Sequence, residues 1–202
     1  MALSTRNKMI AGTMELIRRR GLNATSVREV VRYTDTPRGS IKHHFPNGKL
    51  QLVIEAVQLG GDEVSKPLKA VMEQNSSIEG LALFIGWWRK ILNDTEYKAG
   101  CPILAVASEQ YIGEDGNPSD EAEEQLLVLV DKIFKDWQKI LVEALCRDGL
   151  NQQRATGLAD LIIASIEGTV AICRAARSTS SLDNVEQELK IILKMALDSA
   201  QP

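Results

Sequence analysis

The chain has 202 residues, enough for one or two compact units with buried cores and too few for a large multidomain enzyme. Hydrophobic residues make up 44% and charged residues 25%, close to the averages of globular domains and unlike those of disordered chains. Apolar runs such as residues 81–85 and 126–130 are far shorter than the roughly 20 residues that cross a bilayer. The N-terminal residues also lack the apolar core of a secretory signal. We therefore expect a cytoplasmic protein with no membrane partner.

Charge is distributed unevenly along the chain. Residues 1–50 contain ten Lys/Arg and three Asp/Glu, a balance of +7, whereas residues 51–202 contain 14 and 24, a balance of −10. A basic head on an acidic body favours contact between the head and a polyanion, although a solvated helix surface produces the same excess.

Apolar residues recur every three or four positions along almost the whole chain, and no segment alternates like a strand. The pattern predicts an all-α protein of about nine helices. In the first third we expect helices from Ser4 or Thr5 to Arg20, from a capping box formed by Ser26 and Glu29, over residues 37–44, and over residues 49–64. Gly60, Gly61 and Pro67 are expected to loosen or kink the last of these. Further helices are expected near residues 78–92, 103–111, 119–147, 152–177 and 181–199.

Two short helices, separated by a tight turn and flanked by longer helices, form a helix-turn-helix arrangement. We predict an N-terminal three-helix DNA-binding domain over residues 1–48. A C-terminal helical bundle over residues 49–202 is expected to serve ligand binding and dimerisation, and the helix starting near residue 49 links the two domains.

The helix predicted over residues 37–44 is the recognition helix of this arrangement. It is short and has an exposed N-terminal part, so it can place side chains on base edges in the major groove. Arg38 is the first candidate for a guanine, Gly39 allows a close backbone approach, and the amides near Ser26 and Val27 can hold a phosphate. Lys42, His44 and Lys49 are candidates for phosphate or sugar contacts, whereas Ile41 and Phe45 fit the core. The candidate DNA-binding residues are Ser26, Val27, Arg28, Pro37, Arg38, Gly39, Ser40, Lys42, His43, His44 and Lys49.

These residues lie in a stretch, residues 25–57, that resembles the DNA-binding domain of the TetR family of bacterial transcriptional regulators. The block from Arg38 to Pro46, together with Lys49, resembles the recognition-helix signature of the family. Gly100-Cys101-Pro102 resembles the LmrA/YxaF-like subgroup. The resemblance implies a homodimer that binds palindromic operator DNA, usually as a repressor, and releases the DNA when a small molecule enters the C-terminal domain.

Three residues depart from the family pattern. Asp35 stands where a turn glycine is usual, but Asp tolerates left-handed geometry better than most residues. Thr36 replaces an apolar residue, and Lys42 replaces an aromatic one. The operator sequence therefore cannot be carried over from a relative.

The sequence offers no catalytic set. Both histidines, His43 and His44, lie in the recognition helix, so neither a Ser-His-Asp nor a Cys-His arrangement is available. Glu123 and Glu124 fit a helix start, where acids complement the helix dipole. Cys101, Cys146 and Cys173 have spacings that match neither a disulfide framework nor a metal site, so reduced thiols are expected. We predict no enzyme activity, no metal and no cofactor.

The body contains most of the aromatic and soft side chains that line ligand pockets between helices. The candidates for a ligand pocket are Phe84, Trp87, Trp88, Tyr111, Phe134, Trp137 and Cys173, and each is also compatible with plain core. Adjacent positions on a helix differ by about 100°, so Trp87 and Trp88 cannot both face one core. Glu109, Gln110 or Glu167 can supply a polar anchor for a ligand.

The last two predicted helices are apolar and contain small residues, which suits a four-helix interface about a two-fold axis. The candidate interface residues are Leu158, Ile162, Ile166, Val185, Leu189 and Ile192. Such a dimer would set the two recognition helices roughly 34–36 Å apart, one turn of DNA. Two alternatives stay open: a DNA-binding dimer without an inducer, and a small-molecule-binding helical protein whose basic head is merely solvated.

Overall fold

The structure is a computed structural model that describes residues 3–37 and 39–200. Within these residues the chain forms nine α-helices and no strand beyond an isolated antiparallel bridge between Ile112 and Pro118, which confirms the predicted all-α class. The helices are α1 (Thr5–Arg20), α2 (Val27–Thr34), α3 (Ser40–His44), α4 (Gly48–Gln74), α5 (Ser77–Asp94), α6 (Pro102–Ala107), α7 (Asp120–Arg147), α8 (Gln152–Ala176) and α9 (Ser180–Asp198).

The chain divides into two compact units. Unit 1 comprises Met1–Asp62 and Cys101–Ile133, and unit 2 comprises Glu63–Gly100 and Phe134–Pro202. Helices α4 and α7 each contribute to both units. Unit 1 therefore contains the three short N-terminal helices together with α6, the loop after α6 and the first half of α7.

Polar caps set the ends of α1 and α2. The Ser4 hydroxyl accepts a hydrogen bond from the Asn7 amide at 3.2 Å, and Gly21 ends α1 with φ of 87°, which favours glycine. The Ser26 hydroxyl accepts from the Glu29 amide, also at 3.2 Å, as predicted. The Glu29 carboxylate, however, pairs with Arg20 and Arg32, so the structure shows one half of the predicted capping box.

Helix α4 is much longer than predicted, because its two glycines are packing positions rather than breaks. A Cβ atom on Gly60 would lie 2.8 Å from Cγ of Pro102, and one on Gly61 would lie 2.8 Å from Cδ1 of Ile133. Each glycine thus lets another segment of unit 1 approach α4 more closely than any side chain would permit. Pro67 lies inside α4 and does not end it. The predicted end of this helix at residue 64 is therefore wrong.

The segment after α6 also differs from the prediction. The expected helix over residues 103–111 ends at Ala107, and residues 108–119 form a loop that includes a turn at Gly116 with φ of 83°. The Gly113 amide donates to the carbonyl of Asn117 at 2.8 Å. These turns bring Ile112 and Pro118 together and fix the course of the loop.

Unit 2 is built mainly from α5, α8 and α9, which pack on one another. Among the described residues, α8 is the one helix long and apolar enough to cross a membrane by length and composition, but 44% of its most apolar window is buried inside the protein. A core helix of a globular protein passes the same test. Helix α8 is thus a core helix that still exposes apolar surface.

Candidate nucleic-acid interface

The α2–α3 region of unit 1 has helix-turn-helix geometry. Asp35 ends α2 in the left-handed region with φ of 49°, so an aspartate makes the turn where the family usually has glycine. Val30, Ile41 and Phe45 are at most 6% exposed and form the apolar side of the motif. The predicted core roles of Ile41 and Phe45 are therefore confirmed.

The opposite side of the motif presents polar groups to solvent. Lys42 and His43 are exposed on α3, and the ring centroids of His43 and His44 lie 4.8 Å apart in an edge-to-face arrangement. Pro37 and Gly39 are exposed before α3, Ser40 and His44 are half-buried, and Arg38 lies outside the described residues. A short helix with this exposed surface is suited to enter the major groove of DNA.

The start of α2 supplies backbone donors for an anion. Ser26 and Arg28 are exposed and Val27 is half-buried. The first amides of a helix have no intrahelical acceptor and carry the positive end of the helix dipole. The geometry therefore suits the predicted phosphate contact near Ser26 and Val27.

Lys49 occupies a different environment from the other described DNA-binding candidates. It is 7% exposed, its Nζ donates to the carbonyl of Ile112 at 2.7 Å, and Nζ lies 5.1 Å from the centroid of the Tyr111 ring. Burial lowers the pKa of Lys49 from its ordinary value, and the nearby Glu114 carboxylate opposes that shift. The expected phosphate contact requires this ammonium to leave its present partners.

Three of the candidate ligand residues form one aromatic group. Phe84, Trp87 and Trp88 form an aromatic group on α5, in which Phe84 and Trp87 are stacked with centroids 5.6 Å apart. Trp88 is 1% exposed and Trp87 is half-buried, so the two tryptophans face different surroundings, as predicted.

The remaining ligand candidates lie on other elements of the chain. Phe134 and Trp137 form a second pair on α7 with centroids 5.2 Å apart, and Nε1 of Trp137 donates to the Ser65 hydroxyl at 2.9 Å. Cys173 is fully buried on α8. Tyr111 belongs to unit 1, where its ring lies beneath the Lys49 ammonium, whereas the other six candidates belong to unit 2.

Most of the candidate dimer residues face the core of unit 2. Leu158, Ile162, Ile166 and Leu189 are at most 3% exposed within a single chain, and Val185 and Ile192 are half-buried. Side chains already covered by their own protomer add little area to an interface. Among the six, Val185 and Ile192 keep part of their surface available to a partner.

The exposed face of α8 has a different set of small and apolar residues at helical spacing. It comprises Gly157, Leu161, Ala164, Gly168, Ala171, Ile172 and Ala175, which we call the α8 stripe. Leu161 is 41% and Ile172 56% exposed, and a Cβ atom on Gly157 or Gly168 would meet no atom within 4 Å. On α9, Ile191 and Met195 are likewise exposed.

Two of the residues predicted as polar anchors for a ligand bind the DNA-binding head instead. The Glu109 carboxylate accepts from the amides of Leu22 and Asn23, each at 3.1 Å, and the Gln110 carbonyl accepts from Nδ2 of Asn23 at 2.7 Å. Sequence reasoning missed these contacts because they join residues 86 or more positions apart. Glu167, the third predicted anchor, is buried on α8.

No group of three or more His, Cys, Asp or Glu side chains suited to a metal ion occurs in the part of the chain that the structure describes. None of the three cysteines forms a disulfide; Cys101 and Cys173 are buried and Cys146 is half-buried.

Comparisons with known proteins agree with this architecture. Residues 9–56 match the model of the bacterial regulatory proteins of the tetR family, and residues 77–188 match the C-terminal domain of LmrA/YxaF-like transcriptional regulators. An uncharacterized HTH-type transcriptional regulator of Mycobacterium tuberculosis is 32% identical over 93% of both chains. The uncharacterized regulator YxaF of Bacillus subtilis is 27% identical over 94% of this chain and 95% of its own.

Solved structures share the fold. A TetR transcriptional regulator from Legionella pneumophila superposes with a TM-score of 0.79 at 21% identity, over 95% of this chain and 99% of that one. The chain belongs to the TetR family of transcriptional regulators, with a C-terminal domain of the LmrA/YxaF-like kind. Members of this family are regulators rather than enzymes.

Proposed function

We propose that this TetR-family regulator is a homodimeric repressor that binds palindromic operator DNA through α2 and α3 and releases it when a small molecule binds the C-terminal domain. The observation that carries the DNA-binding part is the α3 surface, where Lys42 and His43 are exposed while Ile41 and Phe45 anchor the helix from behind. An anchored helix with one polar face holds its base-reading and phosphate-binding side chains in a fixed register.

The experiment that tests DNA binding is selection of bound sequences from a random duplex pool, followed by affinity measurements over a range of salt concentrations. We expect a palindromic winner. Lys42→Ala should weaken binding to the selected sequence and to random DNA alike. It should also reduce the salt slope, which is the slope of the logarithm of the binding constant against the logarithm of the salt concentration, by about one unit per protomer, because each lost phosphate contact changes this slope by roughly 0.9. Lys66→Ala, at an exposed lysine of unit 2, is the matched control and should change neither quantity.

Failure to enrich any sequence would refute the proposal that α2 and α3 read an operator. If Lys42→Ala lowered the affinity for the selected sequence but not for random DNA, Lys42 would instead be assigned to a base edge, because phosphate contacts contribute equally to every sequence.

The α8 stripe supports the dimeric state. Helix α8 is long and apolar enough to cross a membrane, yet less than half of its most apolar 18-residue window is buried. It therefore leaves apolar surface that a partner helix can cover. Glycine and alanine on this face let two helix backbones approach closely across a two-fold axis. We infer a four-helix interface in which the α8 stripe and the exposed residues of α9 meet their copies.

The aromatic group on α5 supports the small-molecule part of the proposal. Nε1 of Trp88, in a side chain 1% exposed, has no hydrogen-bond acceptor among the described residues. A buried donor left without an acceptor costs about 1–3 kcal/mol, so a ligand that brings an acceptor to this position gains that amount. A compound that binds here and acts as effector should release the selected operator.

A further inference from the structure

The enclosed ammonium of Lys49 conflicts with the phosphate contact that its place in the recognition signature implies. A phosphate must lie within hydrogen-bond distance of Nζ, yet the Ile112 carbonyl and the Tyr111 ring already flank that atom. With Lys49 only 7% exposed, the observed arrangement does not offer this charge to DNA.

The acceptor that holds Lys49 is itself fixed to the head. Residues 109–112, which we call the 109–112 segment, are joined to the turn between α1 and α2 by four hydrogen bonds. Glu109 accepts from the Leu22 and Asn23 amides, Nδ2 of Asn23 donates to the Gln110 carbonyl, and the Ile112 amide donates to Oδ1 of Asn23 at 3.2 Å. The side chain of Asn23 thus bridges two backbone groups of the segment.

Contacts on the other side of the segment restrict it further. The Tyr111 amide donates to the Glu123 carboxylate of α7 at 3.1 Å, and the Tyr111 side chain is 4% exposed. The bridge between Ile112 and Pro118 closes the loop behind it. The Ile112 carbonyl therefore cannot follow Lys49 outward without breaking several hydrogen bonds.

We propose that the 109–112 segment withholds Lys49 from DNA, so that the Ile112 carbonyl and a DNA phosphate compete for the same ammonium. This inference rests on the proposed DNA-binding function and specifies one element of its regulation. Any change in the body that loosens the segment adds one phosphate contact per protomer, and any change that tightens it removes that contact.

Enclosure of the ammonium carries a desolvation penalty that a position facing solvent or DNA would relieve. Desolvation lowers the pKa of Lys49, which means that burial destabilises its charged form. In its present site the ammonium has the Ile112 carbonyl as hydrogen-bond acceptor, the Tyr111 ring beside it and the Glu114 carboxylate nearby, whereas a DNA phosphate offers it a charged acceptor in direct contact. Loss of hydrogen bonds that hold the segment should therefore shift Lys49 toward DNA.

Asn23→Ala tests the inference because it removes two hydrogen bonds to the segment without altering Lys49 or the core. Asn23 is exposed, so the variant should fold. Affinity for the selected operator is measured for wild type, Asn23→Ala, Lys49→Met and the double variant. We expect Asn23→Ala to bind about tenfold more tightly, with a salt slope steeper by about one unit per protomer. In the Lys49→Met background, Asn23→Ala should have no effect.

Asn93→Ala is the matched control, because Asn93 is an exposed asparagine of unit 2 whose side chain accepts from the Tyr97 hydroxyl. It should leave affinity unchanged, and thermal unfolding monitored by circular dichroism verifies that each variant is folded. Unchanged or weaker binding by Asn23→Ala overturns the inference, as does an equal effect with and without Lys49. Failure of the proposed function is a separate result: wild type would then enrich no DNA sequence.

Discussion

The proposed dimer interface makes a prediction at Ile172 in the α8 stripe, a residue that the protomer leaves 56% exposed. Full burial of an isoleucine side chain is worth about 1.5–3 kcal/mol, so the part still exposed corresponds to about 0.8–1.7 kcal/mol. A two-fold interface contains this contact twice. Covering both copies of Ile172 therefore contributes about 2–3 kcal/mol to dimerisation.

Ile172→Glu removes that contribution and places two carboxylates in the interface, each with a desolvation penalty of several kcal/mol. A total of at least about 4 kcal/mol raises the dissociation constant of the dimer about a thousandfold. Sedimentation equilibrium should show a dimer for wild type and a monomer for the variant at micromolar concentration. The protomer should fold normally, because the substituted side chain is already largely in solvent.

Leu83→Glu is the matched control, since Leu83 on α5 is 52% exposed but lies outside the α8 stripe. The Leu83→Glu variant should have the same dimeric mass as wild type in sedimentation equilibrium. A monomeric Leu83→Glu beside a dimeric Ile172→Glu would place the interface elsewhere and refute the assignment of the α8 stripe. A monomeric wild type would refute the dimer itself.

Two further predictions concern packing and pH. Gly61→Ala should lower the free energy of unfolding by about 1–2 kcal/mol, because the added Cβ would lie 2.8–3.1 Å from three atoms of Ile133. Gly86→Ala is the control: a Cβ there meets no atom within 4 Å, so the free energy of unfolding should rise by about 0.5–1 kcal/mol. Denaturant unfolding measures both changes. Burial, followed by Glu114 and Asp115, raises the pKa of Tyr111, so the folded chain keeps this proton as the unfolded chain begins to lose it near pH 10.0. The contribution of the protonated Tyr111 to the free energy of unfolding is fully present below that pH and is lost as the pH rises through the pKa of Tyr111 in the folded chain. Wild type should therefore lose more stability than Tyr111→Phe on alkaline titration, and equal losses would contradict the raised pKa.

The DNA-binding head could be predicted from the sequence because its signals are local. The Ser26 cap, the left-handed turn at Asp35 and the apolar positions Ile41 and Phe45 all depend on neighbours a few residues away. Each was recovered in the structure. The exception is α4, where Gly60 and Gly61 indicated a break by local rules but are required by Pro102 and Ile133, which no local rule can supply.

Faces of amphipathic helices were harder to assign. The most apolar residues of α8, including Leu158 and Ile162, were predicted at a dimer interface, but the protomer buries them itself. Apolar character alone does not distinguish an intramolecular core from an intermolecular one when a helix is apolar on more than one side. The small residues of the α8 stripe lie on the face that the protomer leaves exposed, and for that reason the proposed interface is based on them.

The charge excess of the head overstates the charge that DNA can meet. Arg6 pairs with Glu55, Arg18 and Arg19 pair with Glu15, and Arg20 and Arg32 pair with Glu29, while Lys49 is bound to Ile112. Among the described residues of the head, Lys8, Arg28 and Lys42 have no acidic partner. If only these three cations neutralised phosphates in each protomer, the salt slope for a dimer would be about −5, and release of Lys49 would bring it to about −7. The change in that slope between wild type and Asn23→Ala, about two units for the dimer, therefore reports whether the 109–112 segment holds Lys49 back in the DNA-bound state.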